Sequence, residues 1–298
     1  VNSVESRIRG VLRDAGAAGW LHARSLGLPV SREIAVDPDE QVVMASVYKL
    51  PLLVSLCRAF DTGTVDPRAF VHINPASCTP GPTGIFTFQD PVTLSWRDLA
   101  ASMITVSDSA AADVILGEVG LPAVQRTLVD LGLSRTRIVG GTADVAARLL
   151  QDTGAVTAAE AFATLADNDQ AHTVSAYDPA FTSATTAREM TFLLELIWSD
   201  EVASAQQCAF IRRLLGMQVW QHRMRAGFPY RGVEVFGKTG TIGAVRNEVG
   251  VVRFAGEAPI AVAIFTFAAR SDSAVPAVDA AIAECCRIAV TDLRSGRL

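Results

Sequence analysis

Ser46 stands three residues before Lys49 in ASVYKLPLL, and Lys49 is one of only two lysines in the chain. The other, Lys238, lies in FGKTGT; the remaining strong bases are 24 arginines. Arginine keeps its proton in proteins, whereas lysine sheds its proton when desolvated or set beside another cation. A serine hydroxyl is a weak nucleophile until a base takes its proton. Positions i and i+3 share a helix face, so the Ser46 hydroxyl can meet the Lys49 amine. The pattern fits nucleophilic acyl transfer. Ser46 attacks, a neutral Lys49 accepts its proton, and Lys238 is the cation that depresses Lys49 while keeping its own charge. A helix start also supplies backbone N–H groups for a developing oxyanion.

These residues need elements to position them. Val4, Ile8, Val11 and Leu12 fall on one face of an amphipathic helix over 4–14. Two short strands, GWLHARSL and REIAVDPD, follow around the turn GLPVS. From Ser46 to about residue 220 the periodicity is helical. One helix starts at Ser46, with Pro51 tolerated near its beginning. Another is capped by Ser95, and SDSAAADVILGEVG and LPAVQRTLVDLG each close on glycine. Two more follow, TAREMTFLLELIWSD and SAQQCAFIRRLLGMQ. The stretch 75–92 reads as a Pro/Gly/Thr-rich loop, and 140–185 is weak apart from a helix at 156–166. The tail turns to strands, VEVFGKTG, NEVGVVRFA and PIAVAIFTFAA, and ends in a helix. This order predicts an α/β (α+β) fold: an antiparallel sheet built from both ends of the chain and flanked by the terminal helices. Residues 1–40 and 222–298 form that part, and 41–221 an inserted all-helical subdomain.

Composition narrows the function classes. The net charge of −5 and pI near 5.4 argue against a phosphate-tracking surface, so no nucleic-acid partner is expected. The longest strongly apolar run, APIAVAIFTFAA, is 12 residues, too short for the roughly 20 needed to span a bilayer. No signal peptide is visible, so a cytoplasmic location is expected as the chain stands, or a secreted or periplasmic one if an N-terminal segment was trimmed. Five irregularly spaced cysteines read as free, mostly buried thiols. The histidines are isolated in sequence, so neither metal nor cofactor is expected. A monomer with a small-molecule ester or amide substrate is the expectation.

Ser46-x-x-Lys49 is followed by SDS at 107–109 and by KTGT at 238–241, with 61 residues from Ser46 to Ser107 and 131 more to Lys238. These three motifs in this order, with the flanks LAASMITVSDSAAADVIL and KTGTIGAVRNEVGVV, resemble the class A β-lactamases and penicillin-binding proteins. The resemblance implies residue roles. Ser46 is the acylated nucleophile and Lys49 a base. Ser107 relays a proton to the leaving nitrogen, and Lys238 fixes the substrate carboxylate. Ser109, Thr239, Gly240, Thr241 and Arg246 are the substrate-binding candidates. The backbone N–H groups of Ser46 and Thr241 form the oxyanion hole.

Two departures matter. The middle motif ends in Ser109 where the family has Asn, losing an amide donor–acceptor pair. The family's deacylating Glu, followed by Leu-Asn, has no counterpart in RIVGGTADVAARLLQDTG. Asp144 lies near that place but is one methylene shorter, and Glu160 would serve only if its segment folds back. The motifs therefore imply β-lactam ring opening through a Ser46 acyl-enzyme. An esterase, acyltransferase or D-Ala-D-Ala-type peptidase of the same fold, or a non-turnover covalent β-lactam-binding protein, is the alternative.

Overall fold

The computed structural model describes residues 3–28, 32–165, 174–270 and 274–295. Helix α1 (Val4–Asp14) leads into strands β1 (Ala17–Ser25), β2 (Glu33–Val36) and the short β3 (Val42–Val43). A 3₁₀ turn at Ala45–Tyr48 runs into α2 (Lys49–Asp61). There follow β4 (Phe70–Ile73), β5 (Val92–Ser95), α3 (Trp96–Thr105), α4 (Ser109–Val119), α5 (Leu121–Asp130), α6 (Thr142–Thr153) and α7 (Ala158–Thr164). The chain continues with β6 (Ala184–Thr185), α8 (Ala187–Trp198) and α9 (Ala205–Gly216). It closes with β7 (Val233–Ile242), β8 (Val245–Phe254), β9 (Ile260–Ala268) and α10 (Pro276–Ser295).

The sheet is antiparallel throughout, in the order β2-β1-β9-β8-β7, so its strands come from both ends of the chain as expected. Strand side chains alternate between faces. In β9, Ala261, Ala263 and Phe265 join a core with α2–α5, α8 and α9, while Ile260, Val262 and Ile264 pack under α1 and α10. Burial on both faces is why the APIAVAIFTFAA run shows no polar alternation. No helix of the described residues is long and apolar enough to cross a membrane. All five cysteines are unbridged, and only Cys78 is partly exposed.

The segment between the sheet's two halves is mostly helical but carries two small ribbons. β4 pairs with β5 and closes the 75–91 loop at its base; β3 pairs with β6. Helix α6 is also absent from the sequence reading. Its N-terminus is capped from a distance, because the Asp113 carboxylate on α4 accepts from Thr142 N (2.7 Å) and Ala143 N (3.0 Å). The N-cap residue itself is Gly141, which has no side chain to cap with, so the usual Ser, Thr, Asn or Asp signal is missing there.

Candidate active site

The strand β7 is the sheet's edge, and it lies against the turn that bears Ser46. Gly240 makes this possible: a Cβ there would sit 2.6 Å from Met44 O and 3.1 Å from Val47 N. Asn247 on β8 fastens the same junction by donating to Val43 O (2.8 Å) and Met44 O (3.2 Å). Gly240 thus serves as a spacer and is not among the pocket-lining residues. Gly240→Ala is expected to push β7 off the Ser46 turn and to destabilise the fold by about 1–3 kcal/mol, read as a lower urea midpoint.

A pocket of about 860 Å³ opens at this junction, and Ser46, Ser107, Ser109, Thr239, Thr241 and Arg246 all line it. Lys49 and Lys238 lie behind its wall, both fully buried. Lys238 Nζ donates to Ser107 Oγ (2.8 Å) and to Thr239 O (2.8 Å). Lys49 Nζ donates to Ser107 O (2.8 Å) and lies 3.5 Å from Ser107 Oγ. One hydroxyl is therefore bracketed by both of the chain's lysines. Ser107 sits at φ +60° and Ala45, beside the nucleophile, at φ +46°. Non-glycine residues in this left-handed region are sparse and store strain of order 1–3 kcal/mol each.

Asp108 secures the Ser107 turn. Its carboxylate accepts from Ser102 Oγ (2.7 Å), Ile85 N (3.0 Å) and Ala111 N (3.1 Å). Gly84 packs so close to that carboxylate that no side chain fits there, and its φ of +80° also favours glycine. The 75–91 loop is thereby pinned over α4, and its Pro80, Pro82 and Phe86 form an apolar lip facing Val145, Trp220 and Ile242.

The outer edge of β7 faces the pocket. At Thr239, Gln218 Oε1 accepts the backbone N–H (2.7 Å) and Lys238 takes the C=O, so this residue turns away from β8. In an antiparallel ladder residues alternate between facing and non-facing positions. Thr241, two residues on, therefore turns its N–H to the same outer edge. This is the orientation an oxyanion hole with Ser46 needs.

Both lysines are pushed below the ordinary lysine value, chiefly by burial. Lys49 falls to about 8, held up in part by Asp108 and Asp113. Lys238 is driven well down, because Lys49 and Arg223 add to burial and only Glu248 opposes them. Burial raises Glu248 itself to about 7. The expectation that Lys49 alone loses its charge is thus not what the chain's own charges favour. Two ammonium groups around one hydroxyl act as a coupled pair.

The anion-facing end contains a residue that sequence reasoning missed. Arg223, 2% exposed, donates to Thr241 Oγ1 (2.8 Å), Asn247 O (2.9 Å), Gly240 O (3.2 Å) and Asp279 Oδ1 (2.7 Å). Arg246 pairs with the other oxygen of Asp279 at 3.4 Å. Arg246 is 3% exposed, a buried charge on its strand and not a solvated one. Nothing in its local sequence separates Arg223 from the other arginines; only the packing singles it out.

Neither proposed carboxylate reaches the pocket. Asp144 Oδ2 accepts from Gly141 N (2.8 Å) and caps α6. On that helix Thr142 and Val145 line the pocket, and Asp144 lies off their face. Glu160 caps α7 by accepting from Val156 N (3.1 Å) and Thr157 N (3.2 Å). Among the described lining residues there is no Asp or Glu.

Sheet, helical segment and bracketed serine together define a serine hydrolase fold of the β-lactamase and penicillin-binding type. The sequence profile of the β-lactamase enzyme family matches residues 3–291, and the chain belongs to that family. It is 27% identical to the β-lactamase regulatory protein BlaB of Streptomyces cacaoi, over 96% of each chain. The β-lactamase of Sphaerobacter thermophilus superposes with a TM-score of 0.78 at 20% identity, covering 99% of this chain and 97% of that one. The penicillin-binding protein PBP-A gives 0.77 at 19% identity, over 98% and 96%.

Proposed function

We propose that the protein is a Ser46 acyl-enzyme hydrolase that opens β-lactam rings and releases the product slowly. The observation that carries this reading is the Ser107 hydroxyl held between two buried amines, in a pocket that Ser46 also lines. Ser46 Oγ attacks the lactam carbonyl and forms the new C–O bond as its proton passes to Lys49. The tetrahedral oxyanion is held by Ser46 N–H and Thr241 N–H. As it collapses the C–N bond breaks, and Ser107 passes its proton to the leaving nitrogen, replenished from the lysine pair. Water then adds to the ester, releasing the ring-opened acid and freeing Ser46. A substrate carboxylate beside Lys238, Arg223 and Arg246 would favour the charged form of Lys238. By repulsion it would drive the proton from Lys49, giving the base its neutral form when substrate arrives.

The second step lacks a carboxylate base among the described lining residues, which favours a long-lived acyl-enzyme. This also supports the second reading, a covalent β-lactam-binding protein without turnover, and one relative is named as a regulatory protein. The test is intact-mass spectrometry with benzylpenicillin, beside a chromogenic cephalosporin assay. The expected result is one adduct, mapped to Ser46, that decays over minutes to hours with slow steady hydrolysis. An adduct that never decays establishes the binding protein. No adduct, with Ser46-dependent turnover of p-nitrophenyl esters, overturns the β-lactam reading in favour of an esterase.

The lysine pair also sets a pH profile. Acylation needs one amine neutral, so its rate constant is expected to rise with pH through an ionisation at or below about 8 and then level off. A profile flat from pH 5 to 9 removes the lysine pair from the proton path.

A further inference from the structure

His222 lies in the pocket wall between Trp220 and Arg223, and it also borders a second groove of about 620 Å³ beside α10. Its Nε2 is 3.8 Å from Asp279 Oδ2, and the Trp220 ring stands edge-on to it at 6.2 Å. Asp279 thus gathers three side chains: Arg223 at 2.7 Å, Arg246 at 3.4 Å and His222. Both arginines are buried and charged, while His222 is half exposed and able to titrate. The one Asp279 carboxylate is thus shared by two fixed cations and the imidazole.

We propose that His222 is the proton-linked member of this anion-binding end: protonated, it joins Arg223 and Arg246 in holding the substrate's carboxylate, so anion capture and proton uptake by its ring favour each other. The inference rests on the hydrolase reading and adds to it a specificity that varies with pH. Within the chain, burial and the neighbouring arginines hold His222 below the ordinary imidazole value, against the pull of Asp279. The other charged groups along its groove are Glu284 and Arg287 on α10, which pair with each other at 2.6 Å, and Tyr230 stands opposite them. An anion in the pocket offsets the arginines' field and raises the ring's affinity for its proton. Between the two values, binding takes up a proton. Linkage then requires anion affinity to rise as pH falls through that window, which lies around and below about 6.5. A substrate carboxylate stays ionised there, its own value being about 4 or lower.

The experiment compares a penicillin with its neutral methyl ester. The apparent second-order constant for Ser46 acylation is measured by mass spectrometry for each, from pH 7.5 to 5.5. Taking the ratio removes what both substrates share, and the part set by the lysine pair, which the anion alone biases, is read from a variant without His222. For the wild type the anion-to-ester ratio is expected to rise about fivefold as pH falls. In His222→Gln only the smaller rise owed to the lysine pair is expected to remain, with folding checked by thermal melting. Should that variant fail to fold, His222→Asn takes its place, and the His222 Cε1–H NMR titration in the wild type, with and without ring-opened penicilloate, gives an independent readout. That titration is expected to move to higher pH with the anion present. A ratio that rises equally in the variant, or fails to rise in the wild type, overturns the role of His222 while leaving the hydrolase reading intact. Absence of any adduct in the wild type instead refutes the hydrolase reading, and the inference falls with it.

Discussion

Lys49→Arg is expected to give a folded protein that acylates about 10²–10⁴ times more slowly, the usual worth of general-base help. The reason is the proton. Lys49 is fully buried and depressed to about 8, so a neutral amine is accessible near neutral pH. Guanidinium keeps its proton and cannot accept the one that leaves Ser46. Its charge would also add to the repulsion on Lys238, which shares the Ser107 hydroxyl with residue 49. The measurement is adduct formation against time, beside a melting curve that shows the variant folded. Acylation within tenfold of the wild type would mean that Lys49 is not the base. The scarcity of lysine in this chain would then carry no chemical meaning.

The second large effect is structural. Asp279→Ala is expected to cost about 3–5 kcal/mol, because it leaves two buried guanidinium groups without their shared counter-charge. Arg223 and Arg246 are 2% and 3% exposed, so water cannot replace the lost carboxylate. The remaining bonds of Arg223, to Thr241, Gly240 and Asn247, go to neutral acceptors only. Asp279→Asn keeps the shape and part of the hydrogen bonding, and should lose less. Urea titration of the two variants measures both terms. Equal midpoints for Asp279→Ala and the wild type would show that the arginines are neutralised from elsewhere. The same variant should disturb the pocket, since Arg223 positions the Thr241 hydroxyl beside the proposed oxyanion site.

That Ser46, Lys49, Ser107 and Lys238 form one candidate site was legible in the sequence, because each sits in a short motif with a chemical reason for its residue type. The sheet was legible because its strands read as short apolar, β-branched runs at the two ends of the chain, even where burial on both faces removes the alternation, as in β9. The terminal strands also have no partner except one another. Helix α6 was not legible, since glycine stands at its N-cap and Asp113 on α4, some thirty residues earlier, supplies capping acceptors beside the helix's own Asp144. The roles of Gly240 and Arg223 were equally hidden. A glycine within KTG reads as part of a substrate motif, yet the packing makes it the clearance between β7 and the Met44–Val47 backbone.

By itself, then, the sequence determined the residue types of the proposed acylating centre and the order of the elements that carry it. Those follow from local chemistry and local periodicity. Only the tertiary structure decided which charges surround that centre. Long-range folding sets Asp279 between Arg223, Arg246 and His222, and places Ser107 between both lysines. Burial and distance fix the charge of a titratable group, and neither is a property of its neighbours in sequence.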